Sequence, residues 1–145
     1  MKKIDLALYA ILIVISVIGV YAIYGLAKGD SSANLNTLGT ISTGSTDSGD
    51  VAIDLTPIKI DGKNLILSVS LNTHSVELSQ FDLKQIATLK YNGKTAYPIE
   101  APKIEGHHSS GSIVFNVDDN LKDFAIIIKG IPKVEERVYK WSVGR

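Results

Sequence analysis

The feature that most restricts this chain is an apolar run close to its beginning. The run extends from Leu6 to Leu26, LALYAILIVISVIGVYAIYGL, and contains no charged side chain. As an α-helix it would be about 31 Å long at about 1.5 Å per residue, which matches a bilayer hydrocarbon core of about 30 Å. Tyrosines near both ends are typical of interfacial anchors. The run predicts one membrane-spanning helix that contacts the lipid bilayer, within an N-terminal anchor over residues 1–27.

The flanking charges predict the orientation of this anchor. Lys2 and Lys3 precede the run, whereas only Lys28 closely follows it. Short basic flanks stay in the cytoplasm, so we expect a single-pass protein of the cell membrane with a cytoplasmic N-terminus and an extracytoplasmic C-terminal part. A cleaved signal peptide is the alternative, since GLA before Lys28 weakly resembles a cleavage site. The length of the run favours a retained signal anchor, because signal peptides have apolar regions of about 7–15 residues.

Residues 28–50, KGDSSANLNTLGTISTGSTDSGD, differ sharply in composition from the run before them. Serine, threonine, glycine and asparagine dominate, and neither a helical nor a strand period is visible. Such a composition buries too little apolar surface to offset the entropy of ordering. It predicts a flexible linker with a root-mean-square span of about 25–30 Å.

Apolar and polar residues alternate along most of the chain after Asp50. In NLILSVSLNT, for example, Leu65, Leu67 and Val69 share one face, and RVYKWSV alternates in the same way around Trp141. A period of two is typical of half-buried strands. The pattern predicts about seven short strands over residues 51–145, arranged as an antiparallel immunoglobulin-like β-sandwich with Trp141 buried. Asn92-Gly93 between two such runs predicts a tight hairpin.

Composition excludes several classes of function. The chain has no cysteine and no net charge, and residues 51–145 carry twelve Lys/Arg against eleven Asp/Glu. Disulfides and thiolate metal sites are therefore excluded, and nucleic acid is not expected as a partner. No glycine-rich phosphate loop, nucleophile elbow or HExxH segment occurs. We expect a protein without enzymatic activity, and a metal-dependent hydrolase is the least favoured alternative.

Three histidines, His74, His107 and His108, are the candidate metal ligands. They lie in two loop-like segments, NTHSVELS and EGHHSSGS. Neutral imidazoles bind Zn²⁺ or Cu²⁺ well. If the strand ending near Asn72 and the strand starting near Ser112 are antiparallel neighbours, both loops emerge at the same end of the domain. The segments therefore predict a site for a divalent metal or a polar ligand, and ordinary surface histidines are the alternative.

The same segments carry a resemblance. The stretches LNTHSVELSQFDLKQIATLKYNGKTAYPI, GHHSSGSIVF and IKGIPKVEERVYKW resemble a group of prokaryotic membrane-anchored or secreted β-domain proteins. In that group a THS segment, a Tyr-Pro segment, a GHH segment and a closing ERxxxW segment recur in this order. The resemblance covers residues 67–141 and places the three histidines in its most distinctive segments. It implies no known activity, and a tryptophan expected after the Tyr-Pro segment is missing.

Two hypotheses for the function follow from these patterns. The first is a membrane-tethered extracytoplasmic binding domain with a histidine-based metal or ligand site. The second is a structural or interaction subunit of a membrane or cell-surface complex, which binds a protein partner and no metal.

Overall fold

The computed structural model describes residues 13–16, 32–118 and 121–144. The chain divides into two compact units, Met1–Asp30 and Ser31–Arg145. In the first unit the description is limited to residues 13–16, which are helical and exposed. Among the described residues, no helix is long and apolar enough to cross a membrane. The predicted span otherwise lies outside these residues.

The second unit consists mainly of β-strands, ten of which are described. They are β1 (Ser32–Asn34), β2 (Ile41–Thr43), β3 (Ala52–Asp61), β4 (Asn64–Asn72), β5 (Ala87–Tyr91), β6 (Lys94–Ala96), β7 (Pro98–Glu100), β8 (His108–Asn116), β9 (Asp123–Lys129) and β10 (Glu136–Ser142). Short helical turns occur at Asn36–Leu38, Leu78–Gln80 and Leu83–Ile86 (α1).

The strands form two antiparallel sheets. In the six-stranded sheet the order is β1-β3-β4-β8-β7, and β2 also pairs with β3. In the four-stranded sheet the order is β10-β9-β5-β6. The inward-facing residues of both sheets belong to one hydrophobic core cluster. The prediction of a mainly β domain with antiparallel sheets is confirmed.

The tight turn predicted at Asn92-Gly93 is present. The β5–β6 hairpin turns at Asn92 and Gly93, which have φ values of 46° and 73°. Positive φ at both central residues is the requirement of a two-residue hairpin turn, and asparagine and glycine tolerate it best. Burial of Trp141 is also confirmed, since only 6% of its surface is exposed.

The sequence predicts a flexible linker over residues 28–50, whereas residues 32–50 belong to the second compact unit and contribute two strands to its larger sheet. β1 pairs with Asp61–Lys59 and β2 pairs with Leu55–Ile53, so both strands follow the same edge of β3. The turn at Asn36–Leu38 separates them opposite a register shift between Pro57 and Lys59. Together the two short strands form an interrupted edge strand.

Contacts beyond the strand pairing also order this segment. Leu35 is 3% exposed and belongs to the core, and its amide donates to the Ile58 carbonyl at 2.8 Å. The hydroxyls of Thr40 and Thr56 lie 2.6 Å apart. Pairing with an existing strand edge satisfies the backbone of a polar sequence without an apolar face of its own, and composition alone does not show this.

Residues 39–50 continue across to β10 of the other sheet, and we call them the clasp. The Trp141 indole N–H donates to the Gly39 carbonyl at 3.1 Å, and the hydroxyls of Thr43 and Tyr139 lie 2.5 Å apart. At the end of the clasp, Asp50 accepts a hydrogen bond from Arg137. The clasp therefore links the first strands of the domain to its last strand.

Candidate functional site

The three histidines lie at one end of the six-stranded sheet. His74 follows β4, His107 precedes β8 and His108 is the first residue of β8; all three are exposed. β4 and β8 pair antiparallel, with Asn72 opposite His108. The two loops therefore emerge side by side at the same end of the domain, as predicted from the sequence.

Hydrogen bonds, most of them between backbone groups, join the two loops. The Thr73 amide donates to the His107 carbonyl at 2.9 Å, and Nδ1 of His108 lies 3.0 Å from Oδ1 of Asn72. The Leu78 amide donates to the Gly106 carbonyl at 3.0 Å. These bonds fix the two loops against each other, and we call the region the histidine corner.

A carboxylate also belongs to the histidine corner. Glu77 accepts hydrogen bonds from the amides of Ser79 and Gly106, each at 3.1 Å. The Ser79 hydrogen bond, with smaller contributions from Gly106 and the charge of His107, holds the Glu77 pKa below its usual value. Glu77 is therefore an anchored anion that joins the two loops.

The geometry of the histidine corner does not assemble a complete metal site. Within residues 13–16, 32–118 and 121–144, no group of three or more His, Asp or Glu side chains is arranged to hold a metal ion. One nitrogen of His108 faces Asn72. The arrangement supports a hydrogen-bonded corner, and coordination by His74, His107 and His108 stays a prediction.

Sequence reasoning missed the roles of the residues beside these histidines. Thr73 is fully buried, and its hydroxyl donates to the Asp50 carbonyl at 2.7 Å. The Ser75 hydroxyl accepts from the Gly49 amide at 2.7 Å. The threonine and serine of the THS segment therefore hold the clasp, while His74 between them is exposed.

Sequence reasoning also missed Arg137. Its side chain is fully buried, and Nη2 donates to Oδ1 of Asp50 and to the Pro132 carbonyl, each at 3.0 Å. A signal was present, because Arg137 alternates with Tyr139 and Trp141 on the inner face of the last strand. An arginine on that face requires a buried acceptor, and Asp50 supplies it.

A different surface has the character of a binding site. On the outer face of the four-stranded sheet, Val138 lies opposite Ile127, which lies opposite Thr88. Ile127 is only 6% exposed although it lies outside the core cluster, and Val138 is 38% exposed. We call the row that contains Val138 and Ile127 the apolar row; Val138 is its exposed apolar side chain on β10.

Charged rows lie on both sides of this apolar row. On one side, Ala125 lies between Lys140 and Lys90 in register. On the other side, Glu136 and Lys129 are paired and form an ion pair at 2.6 Å. We call this outer surface, with its three rows, the lysine face.

The two lysines beside Ala125 differ in their partners from Lys129, which lies on the same face. In the described part of the chain, neither Lys90 nor Lys140 forms an ion pair or a hydrogen bond. By contrast, Lys129 donates to Glu136, and this hydrogen bond raises the pKa of Lys129 and lowers that of Glu136. Two unpaired cations next to an apolar row can meet a partner without first breaking an internal bond.

Two shallow grooves cover the lysine face. One, of about 450 Å³, lies around Ala125 and has Lys90, Lys140 and Asp123 on its walls. The other, of about 490 Å³, lies over Ile127 and is bordered by Tyr97, which is 63% exposed. The small side chain of Ala125 between two long ones leaves the first groove open.

The outer face of the six-stranded sheet is chemically different. Thr56, Ser68 and Ser112 lie in one row across it, and Asp54, Ser70 and Ser110 lie in the next. Short hydroxyl side chains dominate there, and Asp54 is the charged residue in these rows. We call this surface the hydroxyl face; it provides a natural control for the lysine face.

Comparison with known proteins adds no assignment. No family model, no curated protein and no solved structure matches this chain.

Proposed function

We propose that the protein is a membrane-tethered, extracytoplasmic interaction module without enzymatic activity. Its domain is of the immunoglobulin-like class, and its binding surface is the lysine face. The uncharged run from Leu6 to Leu26 and the basic residues before it support the tether and its orientation. The resemblance to membrane-anchored or secreted β-domain proteins supports the same assignment.

The strand orders support the immunoglobulin-like class. That fold pairs its strands as A-B-E-D in one sheet and G-F-C in the other, with a further strand C′ beside C in variable-type domains. Taken in chain order from β3, the strands give β3-β4-β8-β7 and β10-β9-β5-β6. These are the A-B-E-D and G-F-C-C′ orders, and β1 and β2 extend the first sheet beyond strand A.

The observation that carries the proposed function is the apolar row between charged rows. Val138 and Ile127 lie on the outside of the sheet and outside the core cluster, and Val138 is 38% exposed. A large apolar side chain surrounded by charged ones is typical of an interaction surface, with an apolar centre and a polar rim. Burying Val138 and Tyr97 against a partner would add stabilisation of about 25 cal/mol per Å² of apolar area.

The test uses the full-length chain in intact cells. A photo-crosslinking amino acid is placed at Val138 on the lysine face and, as a matched control, at Ser68 on the hydroxyl face. We expect covalent adducts from position 138 and none from position 68. Equal labelling at both positions, or no adduct at either, would contradict the proposed function.

The histidine corner supports a second candidate, a metal or polar-ligand site on the same tethered domain. The observation in its favour is the pairing of Asn72 with His108, which brings the loops of all three histidines to one end of the sheet. Because backbone hydrogen bonds already join the loops, the backbone positions of the three histidines would be fixed before a metal or ligand binds.

A further inference from the structure

We infer that the partner of the lysine face is a second copy of this chain. This inference rests on the proposed function, since it names the occupant of the same surface. The face is self-complementary: its apolar row lies between a cationic row and a row that contains an acidic residue.

A twofold axis laid along the row of Val138, Ile127 and Thr88 exchanges the two outer rows. The row of Lys140 and Ala125 then lies over the row of Glu136 and Lys129 of the second copy, and the reverse holds as well. The strands of the two copies run in opposite directions, and each residue on the axis meets its own counterpart. Such an arrangement is an isologous interface.

The exchange places opposite charges together on the last strand. Lys140 and Glu136 both lie on β10, four positions apart, with Val138 between them. Across the axis, Lys140 of each copy therefore faces Glu136 of the other, which gives two intermolecular ion pairs. Lys140 has no ion-pair partner among the described residues, whereas Glu136 would exchange its pair with Lys129 for one with Lys140 of the second copy.

The exchange also matches large side chains to small ones. Lys129 of one copy lies over Ala125 of the other, where the groove of about 450 Å³ is open. Asp123, on the wall of that groove, offers a carboxylate to the incoming ammonium group. Asp123 now accepts a hydrogen bond from Ser142 at 2.6 Å. Each copy would thus insert one lysine into the groove of the other.

The size of the face sets the strength of the association. Four strands spaced about 4.8 Å apart give a width of about 14 Å, which is narrow for an interface. Stable complexes bury about 800 Å² on each partner, so we expect weak association. Attachment of both copies to one membrane would raise their effective concentration and favour the pair.

The test exploits the absence of cysteine from the chain. Val138→Cys introduces a single thiol on the axis, and Ser68→Cys introduces one on the hydroxyl face. The full-length chain in its membrane is treated with a short bismaleimide. We expect a covalent dimer of twice the 15.6 kDa chain from Val138→Cys, and at least about tenfold less from Ser68→Cys.

Charge reversal then tests the register. In the Val138→Cys background, Lys140→Glu or Glu136→Lys alone should reduce the dimer yield by about tenfold, because like charges then meet twice. The double variant should restore the yield, which also shows that the reversed chains are folded. Lys90→Glu, which changes a lysine of the same row that faces no acidic residue across the axis, should change the yield much less.

The outcomes separate this inference from the proposed function. Failure of the double variant to restore dimers overturns the second copy as partner. Adducts at position 138 whose mass is that of a different protein also overturn it, while they uphold the lysine face as an interaction surface. No adduct at position 138 overturns both.

Discussion

Asp50 and Arg137, 87 positions apart in the chain, form an ion pair at 3.0 Å inside the domain. The Arg137 side chain is fully buried, and that of Asp50 is 11% exposed. Asp50 also accepts hydrogen bonds from the Ser45 amide at 2.9 Å and from the Val51 amide at 2.7 Å. One carboxylate therefore joins the end of the clasp, the start of β3 and the inner face of β10.

Replacing one partner of this pair should be strongly destabilising. Asp50→Ala leaves the Arg137 guanidinium buried without its counter-ion, and such a change costs about 3–5 kcal/mol of unfolding free energy. Urea unfolding of residues 32–145 followed by circular dichroism measures the loss.

A double replacement separates the ion pair from simple packing. Asp50→Leu with Arg137→Met removes both charges, so the loss should be smaller than for Asp50→Ala. The control is Lys129→Ala, which breaks an exposed pair and should change stability little. A loss for Asp50→Ala no larger than this control would contradict the buried-pair interpretation.

Stability should fall in acid because of the same carboxylate. Burial alone would raise the Asp50 pKa, but hydrogen bonds from the Val51 amide, Arg137 and Ser45 outweigh it and lower the pKa. A lowered folded-state pKa means that the unfolded chain takes up the proton first as pH falls. The contribution of Asp50 is therefore present above the unfolded pKa of about 3.9 and is lost as pH falls through the folded value.

Asp50→Asn isolates this contribution from that of other carboxylates. Hydrogen bonds also lower the pKa of Asp118 and of Glu136. Several carboxylates therefore contribute to the pH dependence of wild-type stability. Urea midpoints at pH 7, 5, 4 and 3 should decline less steeply below pH 4 in Asp50→Asn than in wild type. Parallel declines would show that Asp50 is not responsible.

Two glycines of the clasp form a matched pair for mutation. Gly39 and Gly44 have φ values of 72° and 74°, so alanine is strained at both by a similar amount. A Cβ on Gly39 meets no atom within 4 Å, whereas one on Gly44 would overlap the Val51 carbonyl and the Arg137 guanidinium. Gly44→Ala should cost about 1–3 kcal/mol more than Gly39→Ala. Equal urea midpoints for the two variants would refute the close approach at Gly44.

Removing residues 32–50 should weaken the domain even though the main strands remain. Residues 51–145 lack Asp50, Thr43 and the carbonyl of Gly39, so Arg137, Tyr139 and Trp141 lose partners. The indole is buried and stacked on Phe124 at 5.4 Å in the complete domain. We expect blue-shifted tryptophan emission for residues 32–145 and, for residues 51–145, a lower urea midpoint with emission shifted towards the red. Identical midpoints would show that the clasp contributes nothing.

Metal titration tests the histidine corner. Residues 32–145 and the variants His74→Ala and His107→Ala are titrated with Zn²⁺ and Cu²⁺. Since the structure supports a hydrogen-bonded corner, we expect weak binding of similar strength in all three and a modest loss of stability in His108→Ala, which loses Asn72 as a partner. Tight binding that both variants abolish would instead support coordination by the histidines.

The alternating pattern was sufficient to predict the β architecture, because a period of two leaves one face to bury. It located the Asn92-Gly93 hairpin and the burial of Trp141, and it supported the neighbouring positions of β4 and β8. The pattern did not predict that residues 32–50 are ordered, because they are held by pairing with the edge of β3 rather than by an apolar face of their own. The lysine face was not predicted either. Ile127 lies in the continuous apolar run Ala125–Ile128, which predicts a core strand, although the Ile127 side chain lies on the outer face.

The candidate site shows a similar division. The sequence was sufficient to predict that the loops of His74 and His108 are neighbours, because the order of the strands in the sheet decides which strand ends lie side by side. It could not show that Thr73 and Ser75 face the clasp, because those partners are more than twenty positions away in a segment with no pattern.

The course of residues 32–50 also has a consequence for self-association into aggregates. A long sheet edge with free amides and carbonyls is a template for further strands, and natural proteins cover or shorten such edges. β3 is a ten-residue strand, and its outer edge is occupied by β1 and β2. The opposite end of that sheet is the three-residue strand β7, and the ends of the other sheet are β6, with three residues, and β10, with seven. Cleavage of the chain just before Val51 would expose the edge of β3 and uncover the aromatic end of β10 in one step. Protection of the domain from aggregation therefore depends on the segment whose sequence looks most like a dispensable spacer.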